Sequence, residues 1–203
     1  MSALAAYRTA ILAYLDDAAL VRYTNDQVDA ALRWALFKYS SARPLVLTYM
    51  LDANGEDKIA FPADFSATAI TKVELYDADP HLIVNLDYFT YLEDEGWVLD
   101  TINNIYAVGK IFKVTYTSTH FIDALDSAAG TSVPAEDETL LQMGAAGHAI
   151  LARIASRAEN INLNADAVKS LKLLADSYLS DFLTGIRTTS TPAFADIPFP
   201  GSI

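Results

Sequence analysis

The sequence predicts an α+β protein: a four-helix body made from N- and C-terminal helical pairs, an inserted small antiparallel β domain, and an extended C-terminal arm. Three observations predict it. Apolar residues recur at helical spacing through the first 43 residues and again from Leu140 onward. Between these stretches, Tyr, Val and Ile alternate with polar residues and glycine-bearing turns, the texture of strands. Beyond Thr188, Pro192, Pro198 and Pro200 exclude a helix. The corresponding divisions are 1–43, 44–118, 119–187 and 188–203.

The first helix follows from Leu4, Tyr7, Ile11 and Leu15 on one face, with Asp16-Asp17 ending it. Thr24 followed by Gln27 forms a capping box and starts the second helix. Its stripe is Val28, Ala31 or Leu32, Ala35 and Tyr39, with Asp26, Asp29 and Arg33 on the wet side. Pro44 disfavours helical geometry at Arg43 and sets the stop. Trp34 and Phe37 lie off that stripe, and core packing on a second buried face is expected for both.

Beyond Pro44 the period becomes that of strands. Leu45 to Leu51 and Lys58 to Phe61 read as a hairpin across Asn54-Gly55. Ala69 to Tyr76 and Leu82 to Leu86 are further strands, separated by the Asp79-Pro80 turn. Residues 87–95 read as either a short helix or a loop. Trp97 to Leu99, Ile105 to Val108 and Ile111 to Tyr116 complete a meander of about five to seven strands, with Gly109-Lys110 as the last tight turn.

Residues 117–132 are small and polar, a linker back to helix. Pro134 suits a first helical turn, and Glu136, Asp137 and Glu138 complement the positive end of the helix dipole. The stripe continues Leu140, Met143 or Gly144, Gly147, Leu151, Ile154 and Ala158. Gly144 and Gly147 each cost a helix about 1 kcal/mol relative to Ala, so a close helix approach is expected to compensate. Asn162 or Asn164 caps the last helix, whose stripe is Val168, Leu171, Ala175, Tyr178, Phe182 and Ile186, with Gly185 near its end. Leu173, Leu174, Leu179 and Leu183 widen it beyond one face, enough to meet a neighbouring subunit. The tail reads either as a loose terminus or as an arm that lays Phe194, Ile197 and Phe199 on a partner.

Composition narrows the function. The chain carries 26 acidic against 14 basic residues, a formal charge of −12, which is opposite in sign to a phosphate-gripping surface. That acidity serves solubility or repels nucleic acid that stays close by. An apolar content of 52% and a mean hydropathy of +0.20 suggest additional burial between subunits. No apolar run approaches the ~18 residues of a spanning helix, and a signal-peptide pattern is missing, so a cytoplasmic site of synthesis is expected and no membrane. With no cysteine, thiolate chemistry and disulfides are excluded.

Signals for catalysis are weak. His81, His120 and His148 lack metal-ligand spacing, and Asp52 to Asp57 lacks the closing Glu of a calcium loop. No nucleophile elbow and no phosphate-cradling glycine loop occurs. No catalytic residue, metal or cofactor is therefore expected. Tyr88, Tyr91 and Trp97 leave open a non-catalytic carbohydrate-binding module.

Ala30-Ala31-Leu32-Arg33 through Tyr39, followed by Arg43-Pro44, resembles the early helix of head-to-tail connector (adaptor) proteins of tailed bacteriophages. Tyr116 to His120, Thr131-Ser132-Val133-Pro134 and the Leu140 to Ala158 helix with its Gly-Ala-Ala-Gly centre resemble the back half of the same proteins. These phrases cover about half the chain, while the β-rich middle departs from the smallest, almost wholly helical members. The resemblance implies a ring, usually twelvefold, docked beneath the portal protein in the virion neck and assembled in the host cytoplasm. DNA would pass through its centre without specific binding. It also implies attachment to the portal by helical edges and a C-terminal arm, with the other rim offered to a stopper or tail protein. On this chain the expected partner-binding residues are Tyr178, Phe182, Ile186, Phe194, Ile197 and Phe199. A tail-completion or baseplate subunit is the neighbouring alternative.

Overall fold

Helical periodicity, a Thr24 cap and a strand-rich middle resolve into four helices and two small antiparallel sheets, an α+β architecture. The computed structural model describes residues 2–62, 65–76, 82–85, 87–93, 96–102, 106, 108–157 and 165–188. The chain separates into two compact units. Among the described residues, one unit joins those up to 44 to those from 119 to 188, and the other lies within 45–118.

In the helical unit, α1 (Leu4–Tyr14) and α2 (Asn25–Ala42) pack with α3 (Glu138–Arg157) and α4 (Ala165–Thr188). The α2 start is the expected capping box: Gln27 N–H donates to Thr24 Oγ1 at 3.3 Å and Thr24 N–H to Gln27 Oε1 at 3.0 Å. Tyr7, Ile11, Leu32, Tyr39, Leu141, Ile150 and Phe182 form the fully buried centre. Asp29 departs from the expected wet side. It is buried against α1 and takes a two-pronged ion pair from Arg8, at 2.8 Å and 2.6 Å. Burying a carboxylate is tolerated there because the guanidinium fork satisfies both oxygens. The two off-stripe aromatics of α2 diverge as well. Trp34 stacks on His148 at 4.4 Å, whereas Phe37 is 61% exposed, left uncovered among the described residues.

The glycines of α3 do meet a close partner. A β-carbon at Gly144 would lie 2.6 Å from Phe182 Cγ, and one at Gly147 would lie 2.9 Å from Leu179 Cγ and 3.1 Å from the Ala175 carbonyl oxygen. Helix α4 reciprocates at Gly185, where a β-carbon would be 2.5 Å from Leu140 Cδ1. Gly185 therefore does not end α4, which runs on to Thr188.

A polar knot ties α2, α4 and the segment before α3. Arg43, the residue after α2, donates to the Gly185 carbonyl at 2.6 Å and the Ile186 carbonyl at 3.1 Å, in the last turn of α4. It also pairs with Asp137 at 2.7 Å, and Tyr39 Oη donates to the same carboxylate at 2.6 Å. Asp137 lies in a 3-10 turn, Ala135–Asp137, that leads into α3. His120 is buried beside this group. Its Nε2 lies 3.1 Å from the Arg43 carbonyl oxygen, its Nδ1 lies 3.1 Å from Ser132 Oγ, and its backbone N–H donates to Ser40 Oγ at 2.9 Å. The neutral tautomer protonated on Nε2 satisfies both ring nitrogens. Burial pushes the His120 pKa down, outweighing the opposite pull of the Ser132 and Arg43 carbonyls and of Asp137.

In the β unit, β1 (Leu45–Asp52), β3 (Ala69–Tyr76), β4 (Leu82–Asn85) and β7 (Ile111–Ser118) form one sheet in the order β1-β7-β3-β4. The other sheet is β2 (Lys58–Ala60), β6 (Gly96–Asp100) and β5 (Phe89–Glu93) in the order β2-β6-β5. The expected β1–β2 hairpin and simple meander are overturned. Strand β1 pairs along its whole length with β7, from Leu45 opposite Ser118 to Asp52 opposite Ile111, and β2 pairs with β6. An eight-residue strand finds an eight-residue partner in β7, while the three residues of β2 could satisfy only part of its ladder. Within 87–95, left open between helix and loop, residues 89–93 form a strand on β6. Of the candidate strand 105–108, residues 105 and 107 lie outside the described residues, and Val108 makes only an isolated bridge to Lys110. The sheets share a core of Leu51, Ile59, Phe61, Val73, Leu99, Phe112 and Val114.

Two predictions follow from this packing. Gly144→Ala would lower the melting temperature, because overpacking against Phe182 costs about 1–3 kcal/mol and exceeds the helix-propensity gain of about 1 kcal/mol; thermal unfolding followed by circular dichroism measures it. For His120, a pKa lower in the folded than in the unfolded chain means that unfolding takes up a proton. The stability it contributes is full above ~6.5 and is lost as pH falls through the lower folded value. Denaturant titrations across this range should show the decline, and His120→Gln should flatten it.

Candidate functional site

The apolar stripe of α4 divides along its length. Toward the C-terminus, Ala175 and Phe182 are 0% exposed and Ile186 is 4% exposed, while Tyr178 is half-buried with its ring edge against Tyr14 at 5.6 Å. Toward the N-terminus, Leu171 and Leu174 stand open at 39% and 40%, and Leu173 at 62%. Phe182 and Ile186 are thus spent inside the protomer, which corrects their expected role as partner-binding side chains. The physical reason is the glycine cut-outs on α3, which draw this face of α4 into van der Waals contact and bury both side chains. Phe194, Ile197 and Phe199 lie outside the described residues.

Where the stripe stays open, it forms one wall of a groove of about 330 Å³. Val168, Leu171 and Leu174 come from α4, Ile150, Arg153 and Ile154 from α3, and Tyr14 to Asp16 from the end of α1. Arg22 and Tyr23 complete it from the α1–α2 connection. Asp17 builds that last wall. Its carboxylate accepts from the backbone N–H of Val21 at 3.1 Å, Arg22 at 2.8 Å and Tyr23 at 2.8 Å. Burial pushes the Asp17 pKa up, yet the three donors outweigh it and hold the carboxyl below its ordinary range. Arg153 is held by two contacts: its guanidinium donates to the Arg22 carbonyl and lies 4.9 Å from the Tyr23 ring centre. Burial raises the Tyr23 pKa, against the lowering influence of Arg153. The arrangement is an apolar trough with a cationic edge.

The histidines sit in structural surroundings. His120 belongs to the knot, His148 stacks on Trp34 with its pKa pushed down by burial, and His81 lies outside the described residues. In the β unit, Tyr88 and Trp97 pack against the core, and Tyr91 is half-buried with Lys58 near its ring at 6.0 Å. Tyr88 and Trp97 are thus drawn on by packing, and the three rings do not form one shared core contact. Among the described residues, no group of three or more His, Cys, Asp or Glu is placed to hold a metal ion, and no helix is long and apolar enough to cross a membrane.

Sequence reasoning found Val168 and Leu171 but missed the groove as a unit. Tyr14, Tyr23 and Arg153 belong to other segments, and only the unusual width of the Leu171, Leu173 and Leu174 cluster signalled an uncovered face.

No protein-family model matches the chain, and no curated protein matches it. Among solved structures, it is similar to a chain of the virion of a native gene transfer agent particle, with a TM-score of 0.31 and 14% identity over 86% of this chain and 87% of that one. Superposition at that level leaves function to be argued from the residues themselves.

Proposed function

We propose that this chain is a virion structural subunit: a head-to-tail connector that packs against copies of itself in a ring, docks on the portal protein, and offers its other rim to a tail or stopper protein. The observation that carries this reading is the apolar surface the helical unit leaves uncovered, the groove beside Leu171 and Leu174 together with Leu173. A ring of identical subunits needs two different faces, one on each side of every protomer. The groove supplies one, and the exposed Phe37 on α2 is a candidate for the other. The motif phrases around Ala30 to Pro44 and Leu140 to Ala158 support the same reading.

Charge suits the central passage. At −12, the subunit repels the phosphate backbone, so DNA would slide past without being gripped. The role requires no catalytic group, cofactor or metal. It rests on rigid helices that present apolar edges.

Electron microscopy of the purified chain mixed with its candidate portal protein tests this. Closed rings stacked on the portal are expected, and Leu173→Lys should reduce ring yield without changing the melting temperature. A chain that never associates with portal or with itself, at any ratio, would exclude the connector role.

A further inference from the structure

We propose that the groove of the helical unit receives residues 189–203 of a neighbouring copy, with Phe194, Ile197 and Phe199 on its apolar lining and Asp196 beside Arg22 and Arg153. This deepens the ring reading, and rests on it, by naming the contact between subunits.

Chemistry matches on both sides. The lining is mainly apolar and aromatic, from Tyr14, Ile154, Leu171 and Leu174 among others, and its charged members are Arg22, Arg153 and Asp16. Two cations against one acid leave a net charge of +1 in a chain whose total is −12. Residues 189–203 carry the complement: four large apolar side chains, Phe194, Ile197, Phe199 and Ile203, and a single charged one, Asp196. Pro192, Pro198 and Pro200 restrict the segment toward extended conformations, which lowers the ordering cost of laying it in a trough. Proline-rich extended segments dock by this means on aromatic-lined grooves.

Reach selects the neighbour over the same copy. From Leu174 to Thr188, α4 climbs about 21 Å at ~1.5 Å per residue. Returning from Thr188, the six residues to Phe194 span at most about 20 Å. Within one copy, Phe194 would reach Leu174 only with every intervening residue fully extended. A neighbour's arm has no such limit and seats Phe194, Ile197 and Phe199.

The absence of native cysteine makes the test direct. One full-length population carries Leu174→Cys and a second, distinguishable by mass, carries Ile197→Cys; both are mixed, oxidised and resolved by mass spectrometry, in solution and on the portal. Leu174 is partly exposed, so its replacement leaves the core intact. A disulfide joining the two populations is expected, with Asp196→Lys in the arm cutting its yield about tenfold and Met50→Cys, an exposed site in the β unit, giving no product. In a third population carrying both cysteines, diluted into an excess of cysteine-free chain, product that forms within single chains while none joins the two single-cysteine populations overturns the proposal. So does the absence of any product both in solution and on portal-bound rings, in which case the connector role survives. Cross-copy product without portal binding has the opposite meaning: the arm contact stands and the connector role falls.

Discussion

Helix α3 can approach α4 only because it lacks side chains at Gly144 and Gly147, and the helical unit depends on that approach. Phe182 occupies the space over Gly144, Leu179 and the Ala175 carbonyl sit over Gly147, and Leu140 of α3 fits over Gly185 of α4. Each glycine weakens its own helix by about 1 kcal/mol. Burying a side chain such as Phe182 contributes about 1.5–3 kcal/mol, which is larger. The pair is therefore held by complementary shape, and any added methylene meets a neighbour that must move.

That interlock explains why the polar knot is needed. Drawing the end of α4 against α3 brings last-turn carbonyls, which a helix leaves short of backbone donors, out of reach of water, at a cost comparable to a lost hydrogen bond where nothing replaces it. Arg43 satisfies those of Gly185 and Ile186, and Asp137 and Tyr39 hold its guanidinium in position. His120 fastens the carbonyl of Arg43 itself. One guanidinium thus closes α4 while its own residue follows the last turn of α2.

The same interlock creates the open surface. Because the C-terminal half of α4 is committed to α3, the apolar residues of its N-terminal half are left beside the end of α1 and the Asp17-braced connection. A surface that is apolar, cationic at one edge and built on rigid elements is suited to a protein partner of extended form. The exposed apolar surface thus lies on the turns of α4 before the residues the periodicity nominates.

Local signals in the sequence determined a great deal: the Thr24–Gln27 cap, the α2 stop ahead of Pro44, the α+β class, and the need for something to press on Gly144 and Gly147. Each depends on hydrogen bonds or spacings within a few residues, so a short window contains the whole cause. Tertiary structure alone decided the partners. Leu45 lies opposite Ser118, Arg8 reaches Asp29, and the groove gathers walls from both helical pairs. Period 3.6 names a helical face without saying how much of it another helix will cover, which is why Phe182 and Leu171 read alike in sequence and part company in the fold. Strand pairing obeys the same limit, since a ladder is chosen by matching lengths and buried faces among strands far apart in the chain.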